Sequence, residues 1–179
     1  MEERAMYFGN RNIYQTIRNI GGKWNDSKER PLVCLIESTE KQGLFWAIPV
    51  GNFNHRDKEG QDRIYRYMSY PNEDLRSCYY HVGKTTVKSI FFISDVIPIT
   101  EKYIEKEYMG FNNKIYIIKN QNLIQALTEK LTRILTFESS RNNYFRQRIT
   151  DVKNFLIGEL EIKENQEQVA LGKTQNTDS

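Results

Sequence analysis

The chain has 179 residues, 39% of them hydrophobic, which is enough for one hydrophobic core but not for two. Its net charge of +3 neither identifies nor excludes a polyanionic partner. Cys34 and Cys78 stand in apolar, strand-like surroundings, so we expect two buried thiols and not a secreted disulfide scaffold. No apolar run resembles a signal peptide or approaches the roughly 20 residues of a membrane span, so we expect a cytoplasmic protein that does not contact membranes.

The first third of the chain predicts a short helix followed by a hairpin. Residues 12–20 fit the helix, which the pair Gly21-Gly22 ends. The apolar runs 32–36 and 44–50 are separated by turn-forming residues, so they predict two antiparallel strands. Residues 53–70 are polar, rich in tyrosine and too long for a plain turn, which is typical of a functional or disordered loop.

Further strands are predicted before the pattern becomes helical. Residues 77–82 and 89–93 are strand candidates joined by a turn at residues 83–86, and residues 96–99 extend the sheet. The first half of the chain is therefore expected to be rich in β-structure.

The second half predicts two amphipathic helices and a tail. Apolar residues recur at three- and four-residue spacing in two stretches, and Asn120 or Asn122 can cap the first helix while Ser139 and Ser140 precede the second. From about residue 161 the composition is polar, which predicts a flexible tail over residues 161–179 after a single domain of residues 1–160. The two apolar stripes are Leu123, Leu127, Leu131, Ile134 and Leu135, and Phe145, Ile149, Val152, Leu156 and Leu160.

Metal and nucleotide sites are not favoured by the sequence. The chain has two histidines, His55 and His81, and neither lies in a spaced metal-ligand motif. The acids among residues 57–62 alternate with basic residues, so we favour a solvated mixed-charge loop over a magnesium site. Residues 82–86 only echo the end of a phosphate-binding P-loop, whose upstream glycine is missing. We expect no cofactor and no metal.

His55 is the candidate for metal-free RNA cleavage. Such a reaction needs a base for the 2′-hydroxyl, an acid for the leaving oxygen and cations for the charged phosphorane. A histidine in a polar loop suits acid-base chemistry, although an exposed histidine without a role is an equally good interpretation. The turn from Lys84 to Ser89 offers ammonium and hydroxyl groups that can grip a phosphate. His81 alternates with tyrosines in a strand, which favours a hydrogen-bonded structural role.

Two groups of residues fit RNA binding. Tyrosines of residues 65–80 interleave with arginines, as single-stranded RNA binding favours, although ordinary half-buried strands explain tyrosines equally well. Residues 111–153 carry eight Lys or Arg against three Asp or Glu, a bias that the acidic residues 159–179 mask in the net charge. With Glu138 and Asp151 as the acids near the helical basic residues, we predict a phosphate-binding helix surface.

Four phrases of the sequence, in this order, resemble one known family over residues 30–160. They are Arg30-Pro31 opening the run Leu-Val-Cys-Leu-Ile-Glu, Leu-Phe-Trp-Ala-Ile-Pro-Val at 44–50, Ser-Ile-Phe-Phe-Ile-Ser-Asp-Val-Ile-Pro-Ile at 89–99, and Val-Lys-Asn-Phe-Leu at 152–156. Each phrase is unspecific alone, but their order and spacing resemble the ToxN/AbiQ family of type III toxin-antitoxin endoribonucleases, most closely its CptN branch.

The resemblance implies both a fold and a function. The implied fold is α+β, an SH3-like β-barrel of the MazF/Kid kind with packed α-helices. The implied function is a metal-independent, sequence-selective endoribonuclease toxin that leaves 2′,3′-cyclic phosphate and 5′-hydroxyl ends. Its substrate would be cellular or phage mRNA, and the outcome growth arrest or abortive infection. Its inhibitor would be its own processed repeat RNA antitoxin, pseudoknot-like and bound in a closed protein-RNA assembly.

One family motif is missing, which shapes the predicted site. In the better-known branch a Thr/Ser-Ser-x-Lys motif follows the strand that ends in proline, whereas residues 51–54 here are Gly-Asn-Phe-Asn. We therefore predict that His55, Lys84, Thr86 and Lys88 are catalytic. Arg30 matches a basic position that faces RNA in the family. The predicted RNA-binding residues are Arg30, Asn52, Arg56, Arg66, Thr85, Ser89, Arg133, Arg141, Arg146, Arg148 and Lys153.

Two other functions remain open. A non-catalytic RNA-binding regulator with the same barrel would explain the basic and aromatic residues but would leave His55 without a role. A protein-binding domain would use its arginines on an acidic partner.

Overall fold

The computed structural model describes residues 1–25 and 27–175, which form a mixed α+β fold with one antiparallel sheet. The strands are β1 (Ala5–Gly9), β2 (Pro31–Glu37), β3 (Phe45–Asn52), β4 (Tyr80–Lys84), β5 (Lys88–Phe92), β6 (Ile97–Ile99) and β7 (Ile104–Glu107). The helices are α1 (Arg11–Asn19), α2 (Lys58–Met68), α3 (Gln121–Ser140) and α4 (Ile149–Gln175). The predicted α+β class is confirmed.

Strand β3 is the centre of the sheet, whose order is β4-β5-β3-β2-β1-β7. Its first part, Phe45–Ala47, pairs with β6, its last part pairs with β5, and β2 lies along its other side. The predicted hairpin of β2 and β3 is confirmed. The order ends at β4 and β7, and no pairing within the described residues joins these two strands. The sheet is therefore not closed, and the barrel is not confirmed.

Both faces of the central strands are buried, which explains their nearly continuous apolar sequences. Alternate residues of β3 point to opposite faces, so Trp46 and Ile48 join one core cluster whereas Phe45 and Ala47 join another. Helix α3 covers the first face through Leu127 and its neighbours. Helices α1 and α4 cover the second. Both cysteines are buried and free, as predicted.

Asparagine caps begin two of the predicted helices. The side chain of Asn10 accepts a hydrogen bond from the Asn12 N–H at the start of α1, and Asn120 accepts one from the Leu123 N–H at the start of α3. Both helices lie close to their predicted positions, and Asn120 is confirmed as the cap.

Helix α2 was not predicted, because residues 53–70 were interpreted as a loop. The segment begins with a 3-10 turn at Phe53–His55, and Asp57 then caps α2 by accepting a hydrogen bond from the Gly60 N–H at 2.8 Å. Of this helix only Gly60 and Ile64 are buried. An amphipathic pattern with so few apolar positions gives a weak sequence signal.

Glu138 fixes the connection between α3 and α4. This carboxylate is 3% exposed and accepts hydrogen bonds from the N–H groups of Asn143, Tyr144 and Thr150 and from the Thr150 hydroxyl. The predicted capping of the second helix by Ser139 and Ser140 is wrong, because both belong to the last turn of α3 and donate to its carbonyl groups.

Helix α4 extends to Gln175 and so includes residues 161–175 of the predicted tail, whose flexibility stays a prediction. Residues 176–179 of that tail lie outside the described residues. Glu, Gln, Lys and Ala are good helix formers, and the ion pair of Lys163 with Glu167 spans one helical turn. The helix is anchored where Val152 and Leu156 enter the core. No helix within the described residues has the length and apolar character needed to cross a membrane.

Candidate functional site

A basic cavity of about 600 Å³ extends across the sheet from Tyr80 of β4 to Lys106 of β7, and we call it the arginine cleft. Seven basic side chains line it, against three acidic ones. Two of the acids are already paired, Glu29 with Lys106 and Asp95 with Arg146. A cleft of this size lies in the range of small-ligand sites, and its charge suits an anion. The basic residues are Arg11, Lys28, Arg30, Arg56, Arg63, Lys106 and Arg146.

Arg30 and Arg56 lie against the same aromatic ring. Their guanidinium carbons are 4.9 and 5.1 Å from the centre of the Phe92 ring. Burial lowers the pKa of Arg30, and the positive charge of Arg56 lowers it further. The fold therefore brings two like charges together in a half-buried place, an arrangement that a bound anion would stabilise.

Asp95 holds Arg146 at the cleft. One guanidinium nitrogen of Arg146 donates to both carboxylate oxygens of Asp95 at 3.0 Å. Burial raises the pKa of Asp95, although Arg146 and Arg30 oppose that shift by favouring the charged carboxylate. The pair fixes Arg146 in position while neutralising part of its charge.

Aromatic side chains form part of the cleft wall. Tyr14 and Trp24 are stacked, with ring centres 5.4 Å apart and planes 8° from parallel. Both rings line the cleft, and Trp24 is half-buried. Tyr80 also lines the cleft and meets Phe92 edge-on across the β4–β5 pair.

The predicted catalytic residues His55 and Lys88 lie beside the cleft, at the exposed end of β3 and β5. We call this group of Asn52, Phe53, His55, Tyr65 and Lys88 the His55 ledge. Asn52 is opposite Ser89 in the β3–β5 register, and Lys88 precedes Ser89. The ammonium group of Lys88 is 4.5 Å from the centre of the Phe53 ring and donates to the Tyr65 hydroxyl at 3.0 Å.

Asn52 orients the imidazole of His55. Its side-chain oxygen accepts a hydrogen bond from the Asn54 N–H at 2.9 Å, which directs its amide nitrogen to His55 Nε2 at 3.3 Å. Because that amide nitrogen is a donor, Nε2 of a neutral His55 is the acceptor and the proton lies on Nδ1. This unprotonated nitrogen could act as a general base once a ribose hydroxyl replaces Asn52 as its hydrogen-bond donor.

In the rest of the predicted phosphate-gripping turn, the lysine is available but the hydroxyl groups are less so. Lys84 is exposed and lies opposite Lys88 at the end of the β4–β5 pair. Thr85 bonds to Ser89 at 2.7 Å, and Thr86 bonds to the Tyr108 hydroxyl at 3.3 Å. Ser89 is 1% exposed, so it braces the turn. Its hydroxyl is poorly placed for contact with RNA, and its role in RNA binding stays a prediction.

The predicted helix-borne basic surface is not one surface. Arg133, Arg146 and Lys153 line three different cavities. Arg148 is paired with Asp151 and Lys153 with Glu40.

Backbone position separates the set further. Arg141 and Arg146 lie outside both helices, where Arg141 packs over Phe137. Arg133 donates to the Asn72 carbonyl, and Arg66 is exposed on α2. Of the whole set, only Arg146 reaches the arginine cleft.

His81 is half-buried, and no described residue makes the hydrogen bond that we predicted for it. Its Nδ1 atom has no hydrogen-bond partner within the described residues. Burial, with a smaller effect of Lys130, lowers its pKa from 6.5 to about 4. Lys130 itself donates to the carbonyl groups of Ser77 and Tyr80. His81 therefore belongs to the interior of the β4 side and to neither functional region.

Sequence reasoning located three cleft residues, Arg30, Arg56 and Arg146, and missed the others. Phe92 and Asp95 fall in the apolar phrase 89–99, which had been noted for its resemblance and not for its chemistry. Arg11 and Trp24 stand in the first 30 residues, whose only predicted feature is a short helix.

No family model matches the chain, and no curated protein matches it.

Proposed function

We propose that this protein is a metal-independent endoribonuclease, in which the arginine cleft binds a single RNA strand and the His55 ledge cuts it. The proposal depends on one observation, the adjacency of the two regions. Arg56 lines the cleft and His55, the preceding residue, belongs to the ledge. Phe53 of the ledge and Phe92 of the cleft pack in one hydrophobic cluster. A strand bound by the arginines would therefore pass next to the imidazole.

The reaction follows from the groups on the ledge. Neutral His55 takes the proton of a ribose 2′-hydroxyl, and the oxygen attacks the adjacent phosphorus. Lys88 stabilises the negative charge of the phosphorane. The bond to the 5′-oxygen breaks, Lys84 supplies the proton to that oxygen, and a 2′,3′-cyclic phosphate and a 5′-hydroxyl result. Thr86, in the same turn, would donate a hydrogen bond to the phosphate in place of its contact with the Tyr108 hydroxyl.

The family assignment is part of the same proposal. We infer a type III toxin of the ToxN/AbiQ family, closest to the CptN branch, acting in the cytoplasm on cellular or phage mRNA. Its inhibitor would be a processed repeat RNA in a closed protein-RNA assembly. The central β3, with partners along both sides, is compatible with the core of an SH3-like, MazF/Kid-like barrel. A tandem repeat of a few tens of nucleotides upstream of the coding region would support this assignment, and its absence would oppose it.

The cleavage proposal is tested with purified protein and mixed-sequence RNA in excess EDTA. We expect fragments with cyclic-phosphate ends, identified by mass spectrometry, and no change in rate when magnesium is restored. RNA that is cut only after magnesium is added would contradict the metal-independent mechanism.

A second candidate is an RNA-binding regulator without catalytic activity. It is favoured by one observation, namely that His55 and Lys88 are not among the residues that line the arginine cleft. In the same experiment this function predicts a gel shift with intact RNA.

A further inference from the structure

The arginine cleft contains positive charge that the described residues do not neutralise by ion pairing. Among the described residues, no carboxylate forms an ion pair with Arg30 or Arg56. Both carboxylate oxygens of Asp95 accept hydrogen bonds from Arg146 instead. Both guanidinium groups nevertheless lie against Phe92, in half-buried positions. Holding two unpaired cations together is unfavourable until an anion joins them. A phosphate fits the planar donors of arginine.

The same cleft offers a surface for an aromatic ligand. The stacked rings of Tyr14 and Trp24 line it together with the two arginines. Nucleobases stack on such rings whatever their sequence, since every base has a π-face. A cation pair and an aromatic stack in one cavity of about 600 Å³ match the two ends of a nucleotide.

We propose that the arginine cleft is a single-nucleotide subsite, which takes a phosphate on Arg30 and Arg56 and a base on the Tyr14–Trp24 stack. This inference rests on the proposed function only in assuming that RNA is the ligand that reaches the cleft. A stacked base cannot remain paired in a duplex, so the subsite selects single-stranded RNA. Because Arg56 follows His55, the phosphate held in the cleft is a neighbour of the phosphate that is cut.

Trp24 provides the measurement. The chain contains two tryptophans, and Trp46 is 7% exposed in the core, so a ligand in the cleft changes the emission of Trp24. The full-length protein is titrated with adenosine 5′-monophosphate, adenosine and inorganic phosphate, and calorimetry provides a second affinity. We expect the nucleotide to quench the emission and to bind roughly 10-fold more tightly than either adenosine or phosphate, because only it engages both parts of the subsite.

Variants assign the two ends of the ligand. Arg30→Ala and Arg56→Ala should each weaken nucleotide binding by roughly 10-fold or more, the usual effect of losing a charge-assisted hydrogen bond. Arg30→Lys keeps the charge and the fold should the alanine variant fail to fold. Lys163→Ala, exposed on α4 and away from the cleft, is the control and should keep wild-type affinity. Trp24→Phe should lose the emission change while retaining calorimetric binding.

Two results would overturn the inference. Adenosine that binds as tightly as the nucleotide would show that the subsite does not recognise the phosphate. Wild-type affinity in both Arg30→Lys and Arg56→Ala would show that these arginines do not bind the nucleotide. The proposed function is distinguished by His55→Ala, which should still bind the nucleotide. Nucleotide binding without RNA cleavage would support the subsite and contradict the proposed nuclease activity. RNA cleavage without nucleotide binding would support the nuclease activity and contradict the subsite.

Discussion

The arginine cleft and the His55 ledge are neighbours on one hydrophobic cluster, yet they hold their charges in opposite ways. In the cleft, Arg30 and Arg56 lie on Phe92 and Arg146 is fixed by the half-buried Asp95. On the ledge, His55 is exposed and has one polar contact, with Asn52. A group fixed before the ligand arrives binds it at little entropic cost, whereas an exposed imidazole can exchange a proton. In the proposed mechanism, this difference separates the binding region from the catalytic one.

The largest expected effect is on the ledge. His55→Ala should reduce the RNA cleavage rate by about 10²- to 10⁴-fold, as the loss of a general base usually does. The affinity for RNA should stay within about twofold of wild type, because the imidazole does not line the cleft. Cleavage rate and binding are measured separately, by gel assay and by fluorescence anisotropy.

The chain provides a matched control for that variant in its other histidine. His81→Gln should leave the cleavage rate unchanged at pH 7.5, since His81 lies in neither region. A fully active His55→Ala variant would show that His55 takes no part in the mechanism. The cleft and the ledge would then be compared as two binding regions.

The next effect concerns the connection that carries Arg146 to the cleft. Glu138→Ala leaves three backbone N–H groups and one hydroxyl without their buried acceptor. We expect the free energy of unfolding to fall by about 3 kcal/mol, because unpaired buried donors are costly. Urea denaturation followed by circular dichroism measures it. Glu161→Ala, exposed on α4, should change stability by less than about 0.5 kcal/mol. Equal stabilities for the two variants would show that Glu138 does not stabilise the connection between α3 and α4.

The smallest expected effect is a pH dependence of the stability that comes from His81. This residue lies in β4, in neither the cleft nor the ledge. The folded pKa of His81 is about 4, below its ordinary 6.5, so the unfolded chain binds the proton more readily. The stabilising effect of the neutral imidazole is complete above pH 6.5 and is lost as the pH falls towards 4.

Because His81 is partly exposed, we discount the shift for solvent screening and expect a loss of about 1 kcal/mol. Urea midpoints of wild type and His81→Gln, compared at pH 7.5 and 4.5, measure it. The variant should lose less stability on acidification. Parallel pH profiles would exclude a titrating His81.

The sequence predicts the parts of the fold whose signal is local. The apolar runs of β2 and β3, the stripe of α3 and the cap at Asn120 all depend on neighbouring residues, and the structure confirms them. Strand β7, with the sequence Ile-Glu-Lys-Glu, has no apolar run, and it forms because β1 offers it an edge. Helix α2 was missed for a similar reason, since its burial depends on contacts with distant strands.

The candidate site was predicted only where a residue type alone is informative. The basic residues Arg30 and Arg56 drew attention by their charge, but nothing in their spacing places both on Phe92. The partnership of Asp95 with Arg146 joins residues 51 positions apart, on a connection that Glu138 holds through its own hydrogen bonds. Arg133 and Lys153 belong to one basic stretch of the sequence. They lie on different helices, α3 and α4, and line different cavities.

The buried cysteines have a practical consequence for labelling. Cys34 and Cys78 are both enclosed, and burial raises the pKa of Cys34 to about 12, so its reactive thiolate is scarce at neutral pH. A maleimide dye would therefore leave the native chain almost unmodified and react with a thiol introduced at an exposed position such as Arg66. Site-selective attachment of a reporter beside the cleft needs no prior removal of the natural cysteines.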